Sequence, residues 1–582
     1  MADVSRLDAG TRAASLRTMG EEELDVLVIG GGVTGAGVAL DAATRGLRVG
    51  VVDAQDWASG TSSRSSKLVH GGLRYLQMLD FKLVHEALGE RGLLLDRLAP
   101  HLVRAVPFLY PLDKWWERPY VAAGIGLYDV LATIGTRNRA VPAHRHLGRK
   151  GVQKVFPDIK PDACIGAVRY YDGQVDDARL VIALVRTAVE YGALAASRAE
   201  AVSLVREGER VAGARIRDLE TGAEHTVRAR AVISATGVWT EEVQDLATTE
   251  GGLQVLASKG VHIVVERDRI DSRDGIILQT ATSVLFLIPW SRYWVIGTTD
   301  TPYDGDLTHP VATAADIDYV LGEANKILRR PLTAEDVIGT WAGLRPLLQP
   351  RAKGGKDTPS KVSREHTVSE VVPGLVSIAG GKLTTYRVMA EDAVDFALGE
   401  AAARRLPSET ATTPLVGATG YRAYARQAGR IGERYGWSEW RVGHLLHRYG
   451  SSLPELLALV DERPDLGRPV AEAEAYLRAE IVYGTTHEGA LHLEDLMVTR
   501  TRLTYEVRSH GLGALEEVAD LAAAELGWDA ARREAELTAY RERCAAEDAA
   551  AAAPDDGTAA AARGREGDIT AALPHGSATT LA

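Results

Sequence analysis

Apolar residues come in short blocks near the start of the chain. Leu24–Ile29 reads LDVLVI, with the length and β-branching of a buried parallel strand. It runs into Gly30-Gly31-Gly32, and a helical pattern follows from Gly35 to about Arg45. A second block, Val49–Val52, ends at Asp53 and completes a strand–turn–helix–strand unit of α/β type. Between residues 170 and 237 a helical stretch (Asp177–Tyr191) alternates with strand-like runs ending in AVISATG. From 258 to 300 the texture changes. VHIVV, SVLFLIPW and YWVIGTT are β-branched and aromatic, separated by charged and turn residues, which predicts an antiparallel sheet and a second domain. GLVSIAG (374–380) predicts another buried strand, followed by a helix beginning near Thr384.

Pro407–Gly420, rich in Ser, Thr, Gly and Pro, reads as a linker. Beyond it the pattern is helical to about Ala546, and the Ala-rich stretch 547–582 holds little that could form a core, so disorder is expected there. Residues 1–22, with charges mixed throughout, read as an N-terminal tail without a signal peptide. No uninterrupted apolar run approaches the roughly 18 residues of a spanning helix. With two cysteines in 582 residues, the chain has neither a disulfide framework nor a metal cluster in prospect, and a cytoplasmic location is expected. The net charge of -12 argues against a nucleic-acid binder.

Gly30-x-Gly32-x-x-Gly35 is a dinucleotide fingerprint: a tight turn, a close backbone approach to pyrophosphate, and close packing of helix on strand. The pyrophosphate would sit at the positive end of the helix, and Asp53 would accept hydrogen bonds from a ribose. Three later features favour a flavin over a nicotinamide. GTSSRSSK (Gly60–Lys67) offers Thr61, Ser62, Ser63, Ser66 and Lys67 for close contact. SATG brings Ala235 and Gly237 to the end of a strand, and Gly380-Gly381-Lys382 leads into a helix N-terminus, where negative charge on a reduced ring is stabilised.

Further segments carry a resemblance. They are AQD (54–56), TSSRSSKLVHGGLRYL (61–76), VDDARL (175–180), KGVHIVV (259–265), IGTTD (296–300), GLRPLL (343–348) and GGKLTTYR (380–387). In this order they resemble the FAD-dependent, respiratory glycerol-3-phosphate dehydrogenases from about residue 22 to 400. LLHRYGS (445–451) and DLMVTRTRL (495–503) look like that family's C-terminal region. Val261 stands where the family usually has serine, and the Ala-rich tail has no evident counterpart.

The resemblance implies a Rossmann-type FAD-binding domain (23–105 with 155–257 and 336–405). It also implies an antiparallel-sheet substrate domain of D-amino-acid-oxidase type (106–154 with 258–335) and a C-terminal α-helical domain (412–546). It implies oxidation of sn-glycerol 3-phosphate to dihydroxyacetone phosphate, with hydride passing from C2 to flavin N5 and electrons to a membrane quinone. Gly71, Leu383 and Thr384 join the implied cofactor contacts. Arg74, Arg345 and Lys382 are implied around the substrate's phosphate and hydroxyl groups, where a guanidinium fork suits a phosphate. His70 is a candidate proton acceptor because neutral imidazole accepts a proton near pH 7. His262, Asp300 and Arg345 are alternatives, and Tyr75 is a candidate hydrogen-bond partner of the substrate.

The electron acceptor stays open between quinone and oxygen, the latter giving a glycerol-3-phosphate oxidase that makes hydrogen peroxide. An amine or amino-acid oxidase on the same fold would need to hold a carboxylate instead of a phosphate, and a flavin-binding sensor would need no such cations. Trp115, Trp116 and Tyr120 beside Lys114 and Arg118 suggest an interfacial anchor. Residues 131–157, with Arg137, Arg139, Arg145, Arg149, Lys150 and Lys154 and no acid, suggest peripheral contact with an anionic membrane face. A homodimer is compatible with all of this.

Overall fold

A computed structural model describes residues 4–72, 81–114, 141–248, 253–280, 283–350 and 366–563. The first sheet is built on parallel strands in the order 375–379, 224–234, 24–29, 49–52 and 194–196, with 367–372 antiparallel at one edge. Val28 pairs with both Val51 and Ile233. The continuous apolar run of Leu24–Ile29 is explained by cover on both faces. Val26 and Val28 pack under the helices Val33–Thr44, Asp177–Glu190 and Tyr386–Leu398, while Leu27 and Ile29 face a second cluster.

That second cluster corrects the reading of residues 1–22 as a tail. Ala9–Glu21 is a helix, opened by a capping box between Asp8 and Thr11, and Leu16 and Met19 are buried against the sheet. Its apolar residues sit three apart on one face, so charge around the rest of the helix hid the signal.

The second sheet has ten strands and is mostly antiparallel. Leu253–Glu266 pairs along its whole length with Val337–Pro350, setting Ser258 opposite Arg345, Gly260 opposite Gly343 and His262 opposite Trp341. The strands 301–303, 293–297, 284–290, 275–279, 104–112, 166–174, 145–148 and 68–69 complete it. The division expected from sequence therefore differs at three strands. Leu68–Val69, Gly166–Gln174 and Val337–Pro350 were grouped with the cofactor half and belong to this sheet instead. Their own sequences show strand character, but partner choice lies in long-range register, which a local pattern does not contain.

The region after residue 408 is chiefly helical, with one small hairpin of Pro469–Val470 and Ala473–Leu477. The stretch taken for a linker is packed down. Leu415 is buried, its N–H donating to Leu98 O at 2.8 Å, and the Ser408 hydroxyl donates to Asp41. The expected disorder after 547 is also corrected for the described part. The helix Ala530–Ala551 runs on, Asp556–Arg563 forms another, and Asp556 pairs with the buried Lys259. Ala550, Ala553 and Ala559 pack against Val311, so alanines that could not form a core alone contribute to an existing one.

Candidate functional site

The turn after Leu24–Ile29 is shaped by glycines that permit close approach. A Cβ on Gly35 would stand 1.8 Å from Gly30 O, and one on Gly30 would stand 2.6 Å from Ala235 O. Gly32 is the N-cap of Val33–Thr44 and offers no side-chain cap, although Ser62 Oγ accepts the Val33 N–H at 2.9 Å. Asp53 accepts the N–H of Gly31 at 2.5 Å and of Gln55 at 2.7 Å. Burial pushes its carboxyl up to about 6 despite those donors.

Gly30, Gly32, Val33 and Asp53 line a cavity of about 690 Å³ together with Thr61, Ser62, Ala235, Gly237, Gly380, Gly381, Lys382 and Leu383. A second cavity of about 300 Å³ adjoins it, sharing Thr61, Ser62, Gly381, Lys382 and Leu383. It also contains Ser66, His70, His262, Asp300, Arg345 and Thr384, drawn from the second sheet and from the loops and turn beside it. The glycine-lined volume, the helix N-terminus and the acid at the second strand fit a dinucleotide cofactor.

Arg345 lies on the strand Val337–Pro350, and its side chain is about one-third exposed. Its Nη1 donates to Thr299 O and to Asp300 Oδ1, each at 3.2 Å, and its Nη2 donates to Thr298 Oγ1 at 3.1 Å. The fork is thus oriented while still facing the cavity. Gly260 makes room for it, since a Cβ there would stand 2.7 Å from Arg345 Nη2. Asp300 also accepts from Ser258, which leaves its carboxylate engaged as an anchor for Arg345.

His70 sits between Thr384 and Gly72. Its N–H donates to Thr384 Oγ1 at 3.1 Å, and its Nδ1 accepts the Gly72 N–H at 3.2 Å. Burial lowers its pKa, with Lys382 and Arg91 acting the same way and Asp172 opposing, so the ring is neutral near pH 7. With Nδ1 occupied as an acceptor, the neutral ring carries its proton on Nε2. His262 is fully buried, stacked on Trp341 at 5.2 Å, with Nε2 and Ser66 Oγ 2.9 Å apart. Burial, Arg345 and Lys67 together hold it well below the usual histidine range.

Lys67, Ser63 and Gly71 do not line either cavity. The Lys67 ammonium is buried against Asp177 (2.8 Å) and Ser63 O (3.0 Å), with the Trp341 ring centroid at 4.7 Å. Gly71 N–H points to Asp172 at 3.4 Å. Within the loop Thr61–Lys67, Ser63 and Lys67 turn to the protein interior while the other five residues line a cavity, and composition alone does not separate the two sets. Gly35 acts through packing and makes no cavity contact. Arg74 and Tyr75 lie outside the described residues, as do Trp115, Trp116, Arg118, Tyr120, Arg137 and Arg139. Val261 is buried with Ala312 and Ala342, so its departure from the expected serine does not reach the cavity.

Three contributors went unremarked in the sequence. Arg64 lines the second cavity and donates to Thr308 O at 3.1 Å. Trp239, two residues past Gly237, lines the first cavity and lies under Gly60. Gly343 lets the Arg64 backbone lie against its strand, where a Cβ would stand 2.4 Å from Arg64 O. A glycine inside a strand pattern is the signal that could have marked a close backbone approach.

Comparison with known proteins agrees with this geometry. Residues 25–387 match the family model described as FAD dependent oxidoreductase, and residues 408–533 match the C-terminal domain of alpha-glycerophosphate oxidase. The chain is 52% identical over 553 residues to a glycerol-3-phosphate dehydrogenase of Mycobacterium leprae, covering 95% of this chain and 93% of that one. It is 37% identical over 561 residues to the mitochondrial glycerol-3-phosphate dehydrogenase of Homo sapiens, covering 92% and 75%. A crystal structure of the glycerol-3-phosphate dehydrogenase from Bacillus halodurans complexed with FAD superposes with a TM-score of 0.73 at 31% identity, covering 94% and 98%. The chain belongs to the FAD-dependent oxidoreductases and, within them, to the glycerol-3-phosphate dehydrogenase family.

Proposed function

We propose that this chain oxidises sn-glycerol 3-phosphate to dihydroxyacetone phosphate and delivers the electrons to a membrane quinone. The observation that carries the reading is the second cavity, which joins the dinucleotide cavity and presents Arg345, Lys382, His70 and His262 to one small volume. Bound FAD supplies the hydride acceptor. The chain's own residues do the rest.

Arg345, with its fork fixed by Thr298, Thr299 and Asp300, binds an anionic group without paying to organise itself. Lys382 adds a second cation where the two cavities meet. His70 offers Nε2–H to a substrate oxygen and keeps its neutral form. The pair Ser66–His262 adds a hydroxyl and a neutral imidazole that can hydrogen-bond the substrate, with burial, Arg345 and Lys67 disfavouring a charge on the ring. The relatives' names as dehydrogenases support an acceptor other than oxygen.

The oxidase reading has one observation in its favour, the match of 408–533 to a region of alpha-glycerophosphate oxidase. Steady-state assays with sn-glycerol 3-phosphate, glycerol and small amino acids test the substrate, and following peroxide against quinone reduction tests the acceptor. Turnover of amino acids without turnover of the phosphate ester would overturn the proposal. Peroxide formed in stoichiometric amounts with quinone present would replace the dehydrogenase reading by the oxidase one.

No described helix is long and apolar enough to cross a membrane. Peripheral attachment is supported by Arg145, Arg149, Lys150 and Lys154, all exposed on one short strand–helix segment. Flotation with anionic liposomes tests it, with salt-sensitive recovery in the lipid fraction expected and recovery wholly in the soluble fraction contradicting it.

A further inference from the structure

Two sequence motifs take no part in the cavities, VDDARL at 175–180 and DLMVTRTRL at 495–503, and the fold brings them face to face. Arg502, only 2% exposed, reaches from the C-terminal region to three acceptors. Its Nη2 donates to Asp176 Oδ1 at 2.5 Å and Asp177 Oδ1 at 2.6 Å, and its Nη1 donates to Ser63 O at 3.2 Å. Asp177, fully buried, begins the helix Asp177–Glu190. Its Oδ1 also accepts from Lys67 Nζ at 2.8 Å, and its Oδ2 accepts both the N–H (3.0 Å) and the hydroxyl (2.6 Å) of Ser65.

Ser63, Ser65 and Lys67 are therefore held from beneath by one charge cluster. Thr61, Ser62, Arg64 and Ser66 line the cavities, as does Ser65 while it is tied to Asp177, and Ser66 meets His262 there. Trp341 closes the link, donating from Nε1 to Ser65 O at 3.3 Å while its ring stacks on His262.

We infer that Arg502 is a positioning residue: through Asp177 and Ser63 it fixes the register of the loop Thr61–Lys67, and so the placement of Ser62, Arg64 and Ser66 against cofactor and substrate. Three acceptors at different angles need a planar fork. A lysine ammonium keeps the charge and loses that simultaneous reach. The cluster is also ill suited to being a purely stabilising device, because desolvating such charges offsets most of their attraction, whereas the geometry it imposes is stringent. Arg502 lines neither cavity and acts only through the loop. A nearby pair, Arg179–Glu488, joins the same regions with hydrogen bonds that go to Glu488 and Arg448 O, away from the loop.

The inference rests on the proposed oxidation of sn-glycerol 3-phosphate, and the test keeps the two separable. Holoenzyme variants Arg502→Lys, Ser65→Ala, their double mutant and Glu488→Gln are assayed with sn-glycerol 3-phosphate and a soluble redox dye. Visible circular dichroism of the bound flavin is recorded without substrate. Arg502→Lys is expected to lower kcat on the order of 10- to 100-fold with little change in KM, and to alter the flavin dichroism.

Ser65→Ala should then cost much less in the Arg502→Lys background than in the wild type, because both act through Asp177. Glu488→Gln should lower Tm with kcat within about twofold of wild type. If Arg502→Lys is insoluble, Asp177→Asn gives the same readouts, since it keeps the side-chain size and loses the ionised acceptor. A soluble variant with wild-type kcat and dichroism overturns the inference, as do multiplicative effects in the cycle. A wild-type enzyme that ignores the phosphate ester would instead sink the functional reading, leaving the dichroism arm to judge the loop.

Discussion

Arg345 is held at three points and still faces the cavity, which is how an arginine is prepared for an anion: the cost of ordering it is met by the fold before substrate arrives. Replacing Arg345 by Ala is expected to lower kcat/KM by about 100-fold or more, most of it recovered neither by salt nor by excess FAD. Steady-state kinetics on the purified variant check this, and wild-type kinetics would remove Arg345 from the site. Gly260→Ala is a subtler probe. Its methyl would press on Arg345 Nη2 and on Thr298 Oγ1, at 2.7 and 2.5 Å, both ends of movable side chains. It should raise KM for the phosphate ester several-fold while Tm shifts by a few degrees at most, a split that KM and thermal-melt measurements on the same preparation would show. At this scale the sequence was most informative where function is local. The glycines at 30, 32 and 35 and Asp53 announce themselves by spacing, whereas Lys67 looked like a ligand contact and turned out to be a buried partner of Asp177.

Between elements, legibility depended on whether the determining partner was near in sequence. The helix Val33–Thr44 and the strand Leu24–Ile29 were evident because their burial on both faces produces a continuous apolar run. The helix Ala9–Glu21 was missed because two buried residues, Leu16 and Met19, are its main apolar signal facing the sheet. Val337–Pro350 joins the second sheet by pairing with Leu253–Glu266, some eighty residues earlier, a property of the folded register that a local pattern does not contain. The tightest element contact is also the most testable. A methyl on Gly35 would meet a backbone oxygen 1.8 Å away, and backbone on both sides cannot yield. Gly35→Ala should give a colourless protein that retains no FAD after gel filtration, and a yellow, active variant would show that helix and strand are not locked at this point.

Across the whole molecule, the C-terminal region is fastened to the rest by buried charge. Asp56 takes two donors of Arg500, Arg198 pairs with Asp495 at 2.9 Å, and His492 lies 2.8 Å from both Glu220 and Glu536. Burial works against a charge on His492, yet Glu536 and Glu220 outweigh it against opposing Arg198 and hold its pKa up at about 9. A histidine whose folded pKa exceeds its unfolded value near 6.5 contributes stability that is complete below about pH 6.5 and fades as pH rises through about 9. Thermal melts should therefore fall across that window by up to about 3 kcal/mol, and His492→Gln should flatten the fall; an equal pH slope in wild type and variant would show that the latch is not protonated. The functional reading of the whole molecule is that the paired cavities serve flavin reduction by a phosphorylated polyol. Anaerobic titration of the purified holoenzyme with sn-glycerol 3-phosphate tests that most directly. Full bleaching of the flavin's visible band at a small stoichiometric excess, reversed on adding quinone, is expected. A band that stays unchanged while dithionite still bleaches it would show that this phosphate ester is not the flavin's reductant.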